Sequence, residues 1–346
     1  MSEKIDMIKN KKMDLGMLVT IIILLCFGIV MVSSASSYYS LSTYGDSNYL
    51  LTRQLVLAVA GFVGMLVISK INYKSYKKVS YIGYIFALFL LILVLVPGVG
   101  QTRNGATRWL SIAGNTFQPS EIMKIVLVLA TATYLSLNYK KEKGLKGYVF
   151  PLILLGLVIL IMFLQKHMSG TVVMVVASAS VIFACGKKIK VKYILFAGVI
   201  VTLAVTAFVI LEPFRVKRVL AFLNPEEDIK GDNWQAAQSI YAIGSGGIFG
   251  RGLGQSRQKY LWLPEAQNDF IFSVLGEEFG LVGTITVLGV FTFFIYRGFR
   301  IAATCKDLFG SLIATGITSV FALQIIVNIA VVTCTMPVTR NAITIF

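Results

Sequence analysis

The sequence predicts an all-α polytopic membrane protein, and three observations carry that reading. The 346-residue chain is 56% hydrophobic and only 14% charged, with a mean hydropathy of +0.79, whereas soluble chains are about one quarter charged. Nine apolar stretches are long enough to cross about 30 Å of hydrocarbon. Lysines and arginines gather in alternate connections, as the positive-inside rule requires. The whole chain, 1–346, reads as one integral membrane domain without tandem repeats, low-complexity tracts or a separable soluble part.

The spans lie near 15–36, 53–71, 80–98, 119–138, 148–165, 169–186, 193–212, 270–296 and 309–334. The first has a basic start and ends in Ser33-Ser34-Ala35-Ser36, like a secretory signal. Its apolar run exceeds a typical signal core and eight more spans follow, so it reads as a retained span. With the N-terminus cytoplasmic, the inner segments hold Lys4, Lys9, Lys11 and Lys12, then Lys70, Lys74, Lys77 and Lys78, then Lys140, Lys141, Lys143 and Lys146. Lys187, Lys188, Lys190 and Lys192 follow, then Arg297, Arg300 and Lys306. Segments 99–118 and 213–269 and the C-terminus are thereby placed outside. The net charge of +16 is mostly this topology signal and excludes nucleic acid as the expected partner. The four cysteines, Cys26, Cys185, Cys305 and Cys334, have neither metal-ligand nor redox spacing.

Candidate chemistry concentrates on the outer side. The long loop 213–269 begins Pro213-Phe-Arg215-Val-Lys217-Arg218. These cations either snorkel at the interface or bind phosphate oxygens. The run Asn233 to Gly254 carries Gln238 and Ser239, then six glycines within 244–254. No Gly-Lys-Ser/Thr follows, so it is not a P-loop. It reads as a short amphipathic helix and then a re-entrant or surface-hugging loop, which is tolerated at membrane depth where it lines a cavity.

Leu263 to Gly280 holds four acids, Glu265, Asp269, Glu277 and Glu278, at the mouth and upper turns of a span. Ionisable groups there are expensive and mark function by default. Asp269 is either a helix N-cap or a desolvated general base. Glu265 is either a second acid or a loop brace. One of Glu277 and Glu278 is expected to face the bundle, the other a cavity or the loop. In 99–118, Arg108 and Trp109 line a substrate groove or anchor the interface. Glu121 and Lys124 sit one turn apart and can pair. His167, in a short outer turn, reads as a hydrogen-bonded turn residue.

These motifs together resemble the SEDS family, the FtsW, RodA and SpoVE proteins. The resemblance rests on Gly105-Ala-Thr-Arg108-Trp109 with Phe117-Gln-Pro-Ser-Glu121, Phe222-Leu-Asn-Pro225, Gln238-Ser239 with Ala242 to Gly247, Leu263-Pro-Glu265 with Asp269 to Phe272, and Gly276 to Gly280. It runs from about residue 15 to Thr339 and leans toward the FtsW/SpoVE division and sporulation branch. It implies a peptidoglycan glycosyltransferase that polymerises lipid II, the undecaprenyl-pyrophosphate-linked disaccharide peptide, at the outer face of the bacterial cytoplasmic membrane. A class B penicillin-binding protein is the implied partner, and membrane lipids surround the chain.

The family's essential aspartate matches Asp269, which tips that residue toward catalysis. Arg108, Trp109, Glu121, Lys124, Arg215, Lys217, Arg218, Gln238, Ser239 and Glu265 become candidate substrate contacts. A divalent cation, Mg or Mn, is the candidate cofactor for the leaving pyrophosphate. There are two departures from the family pattern. Lys166, not Pro, precedes His167, and Arg340 to Phe346 replaces the stretch that leads into a tenth span. A bundle of nine of the family's ten spans is therefore expected, with fewer packing partners. The competing readings are a lipid II flippase and a non-catalytic scaffold for a transpeptidase. The outer concentration of polar motifs favours the enzyme, because a transporter needs polar groups at the midplane and on both faces.

Overall fold

The computed structural model describes residues 13–103, 106–112, 115–139, 146–186 and 233–336. The helices are α1 (Leu15–Tyr44), α2 (Tyr49–Lys70), α3 (Tyr76–Val94), α4 (Pro119–Asn138), α5 (Lys146–Leu164), α6 (Met168–Ala184), α7 (Trp234–Gly246), α8 (Ile271–Thr304) and α9 (Leu308–Val332). Seven described helices are long and apolar enough to cross a membrane, and α6 is a shorter apolar helix. Eight of the nine expected spans thus have a helix. The ninth, 193–212, lies outside the described residues, as do most of the long loop and the segment after Met336.

Capping fixes several ends. The Asp14 side chain accepts from Met17 N at 2.8 Å, and Gly45 closes α1 with φ +75°. Arg297 binds Asp14 at 2.5 Å and holds its carboxyl below the usual range, joining the start of α1 to the later turns of α8. Pro119 occupies the first turn of α4, where its missing N–H costs nothing. Asp307 caps α9 by accepting from Gly310 N at 3.2 Å. Helix α1 runs to Tyr44, eight residues past the expected end of the span, so Ser33 to Ser36 belong to helix.

The outer segment 99–118, read as loop, folds into an antiparallel meander of β1 (Gly100–Arg103), β2 (Ala106–Ile112) and β3 (Asn115–Phe117). Alternation on β2 buries Arg108 and Leu110 and leaves Thr107, Trp109 and Ser111 more open. Side chains two apart share a face, so Arg108 and Trp109 point to opposite sides of the flap.

One apolar cluster joins α1, α8 and α9 with the 263–275 segment. A second joins α3, α4, α5 and α6, and a third ties α4 and α6 to α9. Helix α9 therefore packs against both halves of the bundle, touching α4 and α6 as well as α8. Helix α2 has no buried residue and, among the described helices and strands, packs on α1 alone.

Candidate functional site

Helix α8 is broken at Gly280, whose φ of +62° is outside the helical range. The glycine-rich loop repairs the break. In an unbroken helix the carbonyls of Glu277 and Glu278 would accept from Leu281 N and Val282 N. Here they accept from Arg251 N at 3.0 Å and Gly252 N at 2.9 Å. Leu281 N and Val282 N donate instead to Gly247 O at 2.9 Å and Ile248 O at 3.1 Å. These four backbone groups freed by the kink are thus satisfied, as non-helical backbone at membrane depth requires. A Cβ on Gly250, at φ +80°, would meet Glu278 O at 2.2 Å, so only glycine fits that approach. The expectation of a short helix followed by a glycine-rich loop is met.

Glu277 turns toward this loop, while Glu278 reaches across to Ser34 of α1 as well as to the loop, in line with the expectation that one of the two faces the bundle and the other the loop. Glu277 accepts from Ser256 Oγ at 2.6 Å, Arg257 N at 3.0 Å and Gln258 N at 3.3 Å, with Arg251 at 3.5 Å. Glu278 accepts from Ser34 Oγ at 2.6 Å and pairs with buried Lys259 at 3.5 Å. Lys259 also donates to Gly254 O at 2.6 Å. These buried carboxylates brace the loop and α1. Sequence reasoning missed Lys259 and Ser34, which nothing in their local pattern distinguishes from neighbouring loop and helix residues.

Asp269 sits, half-buried, immediately before α8. The N-cap position is Phe270, so Asp269 is not the N-cap residue of α8. Glu265 forms the preceding turn at φ +55°. Its carbonyl accepts from Asn268 N at 3.0 Å and Phe270 N at 3.3 Å, and its carboxylate accepts from Asn268 Nδ2 at 2.7 Å. Glu265 thus braces this turn through its backbone carbonyl and its carboxylate. Ser239 is fully buried; it donates to Val332 O at 2.6 Å and meets Ser273 Oγ at 2.7 Å. That hydroxyl ties α7 to α8 and α9. Gln238 is buried beside it.

A second cluster forms where β2, the start of α4 and the α5–α6 turn meet. Buried Lys124 pairs with exposed Glu121 at 2.6 Å, as expected. Arg108, 6% exposed, donates to the Lys166 carbonyl. His167 caps α6, its Nδ1 accepting from Gly170 N at 3.4 Å. Its Nε2 lies 2.5 Å from the Gln118 amide and 3.3 Å from Ser120 Oγ. A neutral imidazole has one N–H, so Nδ1 accepting places the proton on Nε2. The Gln118 amide then faces it with its oxygen, which also accepts from Ser120; amide orientation is an assignment that such a network decides. Burial, then the Arg108 and Lys124 charges, pushes the His167 pKa down to about 3. His167 is the turn residue expected.

Both clusters lie at the ends of α4 and α8 from which those helices start, with α9 packed against both. Arg215, Lys217 and Arg218 lie outside the described residues. No three His, Cys, Asp or Glu side chains gather as a metal site among the described residues, so no protein-built cage for Mg or Mn is found there.

The pattern of the FTSW_RODA_SPOVE family, described as cell cycle protein, matches residues 15–343. The chain belongs to the FtsW/RodA/SpoVE family. It is 39% identical to stage V sporulation protein E of Bacillus subtilis (strain 168), over 96% of this chain and 90% of that protein. It is also 39% identical to the probable peptidoglycan glycosyltransferase FtsW of Trichlorobacter lovleyi, over 94% and 85%. Among solved structures, a chain of a peptidoglycan synthase complex superposes with a TM-score of 0.77 at 27% identity, covering 96% of this chain and 91% of that one. Rod shape determining protein RodA of Thermus thermophilus superposes at 0.69 and 25%, covering 97% and 90%. Membership in FtsW/RodA/SpoVE agrees with the multi-pass helical architecture and the outer-side motifs.

Proposed function

We propose that this chain is a peptidoglycan glycosyltransferase that polymerises lipid II at the outer face of the bacterial cytoplasmic membrane, working beside a class B penicillin-binding protein. The observation that carries the reading is the setting of Asp269: half-buried, ahead of the α8 N-cap residue Phe270, on a turn braced by Glu265. A carboxylate so held suits a general base.

In the reaction, Asp269 takes the proton from the attacking sugar hydroxyl. The hydroxyl oxygen bonds to the anomeric carbon, and the bond from that carbon to the pyrophosphate oxygen breaks. The logic is the base half of an inverting glycosidase. The departing pyrophosphate carries negative charge that preorganised cations stabilise. Arg108 and Lys124 are candidates on the described outer side, and Arg215, Lys217 and Arg218 are candidates in the long loop. Glu121 tunes Lys124 through their contact, and Trp109, on the opposite face of the flap, is a candidate for contact with lipid or sugar.

Among the relatives, one is named for sporulation and another as an FtsW glycosyltransferase, which supports a role in division or sporulation. The test is single substitution of Arg108, Lys124, Arg215, Lys217 and Arg218 to Gln in a lipid II polymerisation assay. Reduced donor use with the fold retained supports the assignment; five variants at the wild-type rate contradict it.

A further inference from the structure

We infer that Asn328 is a positioning residue for Asp269, fixing the peptide that aims its carboxylate. The inference rests on Asp269 acting as the general base. Asn328 is 1% exposed in the apolar run Ile325-Ile-Val-Asn328-Ile-Ala of α9. A lone amide buried there needs a reason. Its Nδ2 donates to the Asp269 carbonyl at 3.2 Å.

That carbonyl stands just outside the α8 ladder. The amide four residues on, Ser273 N, would ordinarily serve it, but Ser273 N donates to Phe270 O at 2.9 Å. Asn328 takes the place of the helix. The other polar atom of the same peptide plane, Phe270 N, donates to Glu265 O at 3.3 Å. One peptide plane is therefore held at both its oxygen and its nitrogen, by α9 on one side and the Glu265 turn on the other. This fixes the position of the Asp269 Cα, which lies in that plane, and so the point from which the side chain projects. The anchor is firm because α9 is fastened to α7 by Ser239 donating to Val332 O at 2.6 Å. It touches no reacting atom in this account and acts only through Asp269.

The experiment uses the full chain with its cognate penicillin-binding protein and lipid II, comparing wild type, Asp269→Ala, Asn328→Leu, Asn328→Asp and Asn328→Gln. Rates are normalised to monodisperse complex, and hydrogen exchange is followed on the peptide spanning 263–274. Leu and Asp keep the size of the side chain and remove the donor. Both should lower kcat roughly 10- to 100-fold, the scale of a misplaced catalytic group. KM for lipid II should stay within about twofold of wild type, because ground-state binding is untouched. Exchange should speed up in 263–274 and nowhere else. Asn328→Gln, which keeps the amide donor, should recover part of kcat. Wild-type kcat in Asn328→Leu, beside an inactive Asp269→Ala, overturns the inference alone. So does a loss accompanied by bundle-wide exchange, which marks a general packing role. Full activity in Asp269→Ala, or none in wild type, overturns the underlying reading and the inference with it.

Discussion

Replacing Lys259 by Met strands a carboxylate inside the bundle. Lys259 and Glu278 are 3.5 Å apart, with side chains 5% and 0% exposed. At that distance and an effective dielectric of about 20, their attraction is about 5 kcal/mol. Removing one partner of such a pair typically destabilises by about 3–5 kcal/mol, because the remaining charge stays buried without its counter-ion. Lys259→Met also removes the 2.6 Å bond to Gly254 O. The loss should appear as a melting-temperature drop on the order of 10 °C for the purified chain in detergent. Glu278→Gln in the Lys259→Met background removes the stranded charge and keeps an acceptor for Ser34. It should recover more than half of the loss, a coupling that a double-mutant cycle measures directly. A Lys259→Met protein that melts with the wild type, or a double variant no better than the single, would refute the clamp.

Three further outcomes follow from the same geometry. Gly250→Ala forces a Cβ into the Glu278 carbonyl at φ +80° and should cost at least about 2 kcal/mol, whereas Gly244→Ala, whose Cβ meets nothing within 4 Å, should cost nothing; equal melting temperatures would contradict the close approach. His167 is neutral in the fold, its pKa lowered to about 3, while the unfolded chain titrates near 6.5. The unfolded state therefore binds the extra proton between those values, and stability is full above 6.5 and falls as pH drops toward 3, by about 2 kcal/mol at pH 5. His167→Asn should flatten that limb of a melting-temperature profile, and an unchanged slope would show that His167 does not cause it.

Much of this architecture is legible in the residues. Span positions follow from apolar length, and the Glu121–Lys124 pair follows from helical spacing alone. The glycine cluster announces close backbone approach, and the break at Gly280 sits where such approach is needed. What the residues conceal is which partner each polar group finds across the fold. Ser239 reads as a site residue by motif, yet its hydroxyl is bound to Val332 O, 93 positions away. Glu277 and Glu278 read as functional because charge inside a membrane is costly, and they prove to be anchored by a loop some twenty residues earlier. The meander of 99–118 escapes because its strands are short and glycine-punctuated. Asn328 carried a visible signal, an amide within an apolar span, shared with Gln324 one turn earlier.

The central claim is that Asp269 performs glycosyl transfer, and lipid II polymerisation by the purified chain with its cognate class B penicillin-binding protein, beside Asp269→Ala, tests it most directly. The account predicts glycan strands from the wild type and none from Asp269→Ala at equal folding and equal partner binding. Strands of undiminished yield from Asp269→Ala would contradict it.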